Sequence, residues 1–296
     1  MSTTEPRIRS LYNSLIFELT KAFALPHNQM THKVVELVFG RAVRSVAELG
    51  IGLDREVEAG GLINGARWLL PRFVKRHAAR GVENIHNDGP LVIASNHPAG
   101  IDSVVICAHV ERPDFKIIIG DIPFFEKLPN VSKHAIYAPE TGDTAGRMQA
   151  VRESLRHLKA GGALLIFARG GIEPDPDSMP EPEVEFGHWS RSLEVFLRHV
   201  PETQVLVTMA SGVIAKASMR NPLTRLRKMR ADRQRIAFLT QIARQILAGQ
   251  ELFGLTPRVT FGEVIAGTQQ DVLDSIHGAA LRVLRQHMEW GQNLSA

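Results

Sequence analysis

The chain of 296 residues holds a single cysteine, Cys107, so no disulfide can form within it. That excludes the disulfide-stapled class of small folds and suits a reducing compartment. No apolar run approaches the ~18 residues of a membrane-spanning helix. The opening Met1-Ser2-Thr3-Thr4-Glu5 lacks the basic-then-apolar layout of a signal peptide. The expectation is a cytoplasmic protein, peripheral on the inner face of the membrane, because surface binding needs only an apolar helix face and basic residues. Internal repeats and low-complexity tracts are also missing, which leaves an ordinary globular composition of 44% hydrophobic and 22% charged residues, enough to bury a core. The formal net charge is +4, so the clustering of basic residues carries more information than their total.

Residues 1–80 read as a helical region. Leu11, Ile16, Leu19 and Phe23 recur at roughly helical spacing, and Val34, Val35, Leu37, Val38, Val43, Val46 and Leu49 continue the pattern. Asp54 reads as the cap of a further helix interrupted by Gly60-Gly61. From residue 81 to 296 the grammar changes. Short apolar runs at 91–94, 116–119, 134–137, 163–167, 205–209 and 258–261 read as strands. Helical patterns at 102–110, 144–160, 190–199, 232–248 and 270–290 lie between them. The alternation predicts an α/β fold: a mixed, mostly parallel sheet flanked by helices, preceded by the N-terminal helical region. Ligands of such sheets bind at the carboxyl ends of the strands, which selects the loops after 94, 119, 137, 167 and 209. The four prolines of Glu173–Pro182 exclude helix and central strand, and this stretch reads as a surface loop.

The first of those loops is Ser95-Asn96-His97-Pro98-Ala99-Gly100-Ile101-Asp102. His97 and Asp102, five positions apart, would not share a helix face. In a strand–turn–helix, bent at Pro98 and Gly100, they meet. A carboxylate on one imidazole nitrogen fixes the tautomer and stabilises the imidazolium. The other nitrogen then takes a proton from a hydroxyl, and N–H groups at the start of the following helix suit an oxyanion. The bland alternative is a turn histidine beside an ordinary helix-capping aspartate.

Asn96–Asp102 resembles the HX4D signature of the glycerolipid acyltransferases, the family of lysophosphatidate and glycerol-3-phosphate acyltransferases. The resemblance spans roughly residues 80–290. Gly81–Ile85 through Asp102 is similar to the family's first strand and catalytic block. Phe167-Ala168-Arg169-Gly170-Gly171-Ile172-Glu173-Pro174 lies where the family has its Phe-Pro-Glu-Gly block. Val205–Val213 resembles the fourth block, and Phe261-Gly262-Glu263-Val264-Ile265 a closing strand. The resemblance implies phospholipid biosynthesis, with an acyl group moving from acyl-CoA or acyl carrier protein to a hydroxyl of a lysolipid or glycerol-phosphate-like acceptor. It implies His97 as general base, Asp102 as its orienting partner, and substrate contacts from Asn96, Gly100, Arg169, Gly170 and Gly171. It implies no metal, no further cofactor and no covalent acyl-enzyme.

Two departures from the family pattern stand out. Arg169 replaces the glutamate before the glycine and Ile172 replaces an arginine. The arginine expected after Ile136-Tyr137-Ala138-Pro139-Glu140 is missing. Bidentate arginine is the usual phosphate clamp, so either Arg169 supplies the charge or the acceptor lacks a phosphate monoester. Arg220, Arg225, Arg227, Lys228, Arg230, Arg233 and Arg235, interleaved with Leu223, Leu226 and Met229, suit an anionic lipid surface, coenzyme A phosphates or plain solvent. Arg67–Arg80 behaves similarly, with Pro71 starting or kinking its helix. Ser190 reads as a helix cap, Trp189 as a possible lipid contact, and Cys107 as a small buried hydrophobe. A lipid hydrolase would need Gly-x-Ser-x-Gly, to which only Ala210-Ser211-Gly212 comes near. A non-catalytic lipid-binding scaffold is the other alternative: the altered block at Arg169 favours it, while the intact His97 and Asp102, for which a scaffold has no chemical need, oppose it. A nucleic-acid partner is not expected, because no recognition module accompanies the arginines. A zinc site lacks a third ligand.

Overall fold

The computed structural model describes residues 4–139, 142–189 and 192–295. Among them are strands β1 (Ala78–Arg80), β2 (Leu91–Ser95), β3 (Lys116–Gly120), β4 (Ala135–Ala138), β5 (Ala163–Phe167), β6 (Gln204–Ser211) and β7 (Arg258–Ala266). The helices are α1 (Thr4–Ala22), α2 (Gln29–Leu69), α3 (Ile101–Cys107), α4 (Pro123–Glu126), α5 (Pro129–Ser132), α6 (Thr144–Lys159), α7 (Ser192–His199), α8 (Lys216–Met219), α9 (Arg230–Ala248) and α10 (Val272–Ser295). They form two compact units. One takes in Met1–Arg76, Ile122–Lys133 and Ile214–Leu255; the other takes in His77–Asp121, His134–Val213 and Thr256–Ala296.

The first unit is helical and discontinuous in sequence. Helix α1 buries Ile8 and Leu11 with Ala47, Phe124 and Leu128, and buries Ile16 with Val35 and Val43. Asn28 caps α2 by accepting from the Thr31 N–H. Gly60 and Gly61 leave helical geometry, as their pairing foretold, with Gly61 at φ +73°. Asp54 departs from its expected role. It lies inside α2, buried, and its carboxylate accepts from the N–H groups of Asn130 (2.8 Å) and Val131 (3.2 Å) and pairs with Arg7 (3.1 Å). It therefore satisfies first-turn donors of α5, not of its own helix. Residues 220–235 form no single amphipathic helix: a 3-10 turn at Pro222–Leu226 precedes α9, with Asn221 accepting from the Leu223 N–H. No helix of the described residues is long and apolar enough to cross a membrane.

The second unit carries the seven-stranded sheet in the order β1-β7-β6-β2-β5-β3-β4. Every neighbouring pair is parallel except β6 with β7, so the sheet is mixed and mostly parallel. The central strand β2 is buried along its whole length, which is why Leu91-Val92-Ile93-Ala94 reads as an unbroken apolar run and not as an alternation. Its core combines Val92, Leu164, Ile166, Val205 and Val207 of the strands with Phe196 of α7 and Ile276 and Val283 of α10. The six strands read from sequence are present; β1, three residues of Ala-Ala-Arg, is the additional one. The register aligns Ser95 at the end of β2 with Phe167 and Thr208. The residues that follow β2 thus emerge between the carboxyl ends of β5 and β6.

Candidate active site

His97 lies in that loop. Its Nδ1 is 2.9 Å from Asp102 Oδ2 and 3.2 Å from Oδ1. Asp102 sits in the first turn of α3 and is wholly buried, whereas the His97 side chain is 24% exposed. The Asp102 carboxylate also accepts from the N–H groups of Ala99 (3.0 Å) and Ser103 (2.6 Å). It therefore shapes the turn that presents the imidazole as well as holding the ring. With a proton on Nδ1 facing the carboxylate, the lone pair resides on Nε2. The N–H groups at the start of α3 were expected to face an oxyanion. Those of Ala99 and Ser103 bind Asp102 instead, and that of Asp102 donates to Ala99 O (3.1 Å).

The loop after β5 is tied to this turn at both ends. Ala168 N–H donates to Ser95 O (3.0 Å), and Glu173 N–H donates to His97 O (2.8 Å). Between those ties Gly170 turns the chain at φ +73°, and open space surrounds the side of its Cα where a side chain would stand. Gly171 lies next to it against the Arg169 guanidinium. Arg169 is half-buried, and its Nε donates to Glu185 Oε2 at 2.5 Å. The cation expected to meet the acceptor thus already faces a carboxylate.

Two further expectations need correction. Asn96 is buried, and its amide exchanges two hydrogen bonds with the Ala210 backbone, 2.9 Å to the carbonyl and 2.8 Å from the N–H. It stitches the loop to β6, so its side chain serves the scaffold and not a substrate. Trp189 is buried rather than lipid-facing, and its Nε1 donates to Glu173 Oε1 at 2.9 Å. The cap assigned to Ser190, and its neighbour Arg191, lie outside the described residues. Gly100 stands exposed before α3, where its carbonyl accepts from the Ser103 hydroxyl (2.9 Å).

Glu173 is the residue that sequence reasoning missed. The proline-rich stretch it opens reads as surface, yet Glu173, Pro174, Asp175 and Pro176 are all buried. Glu173 Oε2 accepts from the His97 N–H at 2.9 Å. Burial pushes its carboxyl up to about 7, against the lowering effect of the Trp189 and His97 donors. Asp175 beside it accepts from the N–H groups of Gly212 and Val213 (both 2.9 Å), fastening the same loop to the end of β6. The available signal was position: a carboxylate soon after a Gly-Gly turn that follows a buried strand. Cys107 is buried as expected, and burial pushes its thiol up to about 12, which leaves it unreactive near neutrality. Among the described residues no group of three His, Cys, Asp or Glu side chains is placed to hold a metal ion.

The fold and this loop define an α/β domain with a histidine–carboxylate pair at the carboxyl ends of its central strands. Residues 76–212 match the model of the family described as Acyltransferase. Over those residues, a little under half of the chain, the protein is similar to the acyltransferases of that family. Among solved structures it is similar to the 1-acyl-sn-glycerophosphate (LPA) acyltransferase, PlsC, from Thermotoga maritima, at 14% identity and a TM-score of 0.46, over 96% of this chain and 97% of that one. No curated protein sequence matches the chain.

Proposed function

We propose that the protein moves a fatty acyl group from a thioester carrier, acyl-CoA or acyl carrier protein, to a hydroxyl of a lysolipid or glycerol-phosphate-like acceptor. The observation that carries this is the 2.9 Å contact between His97 Nδ1 and a wholly buried Asp102, on a ring that is itself partly exposed. Nε2 takes the acceptor's hydroxyl proton as its oxygen attacks the thioester carbonyl. The tetrahedral intermediate collapses, the C–S bond breaks, and the imidazolium returns the proton to the leaving thiolate. An ester and a free thiol result, with no covalent enzyme intermediate and no change in oxidation state. Asp102 stabilises the imidazolium in between.

The hydrolase alternative loses its nucleophile. Ser211 Oγ is 2.7 Å from His287 Nε2, but both residues are fully buried. The Nδ1 of His287 faces Thr260 Oγ1 at 2.8 Å, and Thr260 Oγ1 already accepts from Arg80 Nε. With Ser211 and His287 both at 0% exposure, no ester can reach that hydroxyl.

Peripheral membrane contact belongs to the same proposal. Met30, Val34, Leu37 and Val38 form one stripe on α2 at helical spacing, and Leu37 is 87% exposed. Leu226 and Met229 are exposed among Arg225, Arg227 and Lys228. Apolar side chains set among cations suit an anionic lipid surface.

The test is transfer from radiolabelled acyl-CoA and acyl carrier thioesters to a panel of lysolipids. Labelled diacyl product with the intact protein, reduced about 10³-fold in His97→Ala, supports the proposal. Labelled free fatty acid alone would establish hydrolysis, and lipid binding without turnover would establish a scaffold.

A further inference from the structure

Glu173 is a second acid within reach of His97, and it acts from a different side than Asp102. It is 1% exposed. Its backbone N–H holds the His97 carbonyl at 2.8 Å while its carboxylate holds the His97 N–H at 2.9 Å. The two bonds grip the His97 peptide units on both sides of Cα. The remaining carboxylate oxygen receives the indole N–H of Trp189 at 2.9 Å. Phe186 packs edge-on against that indole, ring centroids 5.2 Å apart. Both carboxylate oxygens are thus engaged by donors, and neither is open to a substrate.

We infer that Glu173 is a positioning residue for the acyl transfer: it fixes the main chain that carries His97 and, when ionised, favours the imidazolium that forms as the acceptor loses its proton. This rests on the reading of His97 as the base. The group acts through His97, because a buried carboxyl with both oxygens occupied cannot itself touch an incoming hydroxyl.

The charged groups facing Glu173 decide the sign. His97, on the loop after β2, favours its ionised form. Glu185, on the 3-10 turn Pro182–His188, opposes it, and Arg169 is paired with Glu185. The attraction between His97 and Glu173 is mutual, so an ionised Glu173 raises the proton affinity of the ring. Burial places the carboxyl at about 7. Near neutral pH it passes between forms, and the strength of the base passes with it. Asp102 supplies a bonded partner at Nδ1; Glu173 supplies a field that switches on as pH rises through 7.

The test begins with the wild-type protein and needs no turnover. Carbon-13 NMR follows the Glu173 carboxyl carbon and the His97 ring across pH 5–9. The expected result is a Glu173 midpoint at about 7, mirrored by an inflection in the His97 resonance at the same pH. A His97 resonance without that inflection overturns the inference. The variant test uses Glu173→Gln together with Trp189→Phe, compared with Trp189→Phe alone. Glutamine has one carbonyl for two N–H donors, so removing the indole donor avoids a donor–donor conflict with the amide NH2, and the Trp189→Phe reference isolates the change at Glu173. The double variant should lose about tenfold in kcat at pH 8, with both KM values within about twofold of the reference. The rise in rate through pH 7 should be lost with it. An unchanged kcat and pH profile would show Glu173 to be scaffold only. If the wild-type protein turns over no thioester, the acyl-transfer reading falls, while the NMR coupling still decides for or against Glu173.

Discussion

The imidazole of His97 lies nearly flat on the ring of Phe167, with centroids 4.0 Å apart and planes 26° from parallel. Phe167 is the last residue of β5 and is registered against Ser95, so the sheet itself sets the height of this stack. Asp102 restrains the ring at one nitrogen; Phe167 restrains its tilt. Replacing Phe167 by leucine keeps an apolar neighbour but removes the flat support. Steady-state kinetics should show kcat reduced about tenfold with KM little changed, since an ångström of misplacement can cost up to ~10²-fold. A kcat within twofold of wild type would mean that the Asp102 contact alone holds the ring.

How much of this was legible in sequence follows from where each constraint lies. Strands β2, β5 and β6 could be read because buried strands appear as apolar runs, whereas β1 (Ala78-Ala79-Arg80) carries no such run. The His97–Asp102 pair could be read because both residues belong to one turn. The bond from Asn96 to Ala210 spans 114 residues, and no local pattern encodes it. Glu173 was obscured by its prolines, which announce a loop but say nothing of whether that loop is buried. For the same reason the recruitment of residues 122–133 and 214–255 into the helical unit could not be foreseen. Helical periodicity shows which face of a helix is apolar, not which distant segment covers it.

Arg169 and Glu185 make a prediction about the acceptor. The guanidinium faces a carboxylate at 2.5 Å, and both side chains are half-buried or more. If an anionic acceptor meets Arg169, it competes with Glu185 for the same cation. Arg169→Ala should then raise the acceptor KM about tenfold and leave the donor KM unchanged, while Glu185→Gln should lower the acceptor KM. Equal acceptor KM values in all three proteins would make the pair a brace of the loop and favour an acceptor without a phosphate monoester.

Two buried groups give the stability opposite slopes with pH. Burial and the nearby Arg258 and Arg80 charges hold His287 down to about 3, against an ordinary value of 6.5. Between those values the unfolded chain binds the proton and the folded one does not, so His287 contributes stability above pH 6.5 that is lost as pH falls toward 3. Glu173 is raised from 4.5 to about 7. Its contribution is complete below pH 4.5 and is lost as pH rises through 7. Each pH unit in either window changes stability by about 1.4 kcal/mol per group. Urea unfolding of His287→Gln across pH 4–8 should therefore show a flatter acid limb than wild type. Parallel curves would mean that His287 does not titrate with unfolding.

The last prediction separates two glycines that share a backbone conformation. Gly81 has φ +70° and Gly170 has φ +73°, so alanine at either incurs left-handed strain of about 1–2 kcal/mol. Their surroundings differ. A Cβ on Gly81 would stand 1.9 Å from the Phe261 carbonyl oxygen, while one on Gly170 would meet nothing within 4 Å. Gly81→Ala must therefore displace β7 backbone, and its loss of stability should exceed about 3 kcal/mol. Gly170→Ala should lose only the strain. If a substrate approaches the backbone at Gly170, its alanine variant will bind that substrate more weakly while unfolding almost normally. Thermal unfolding and substrate KM measured on both variants check this. A Gly170→Ala protein with unchanged KM for donor and acceptor would show that neither substrate passes close to that turn.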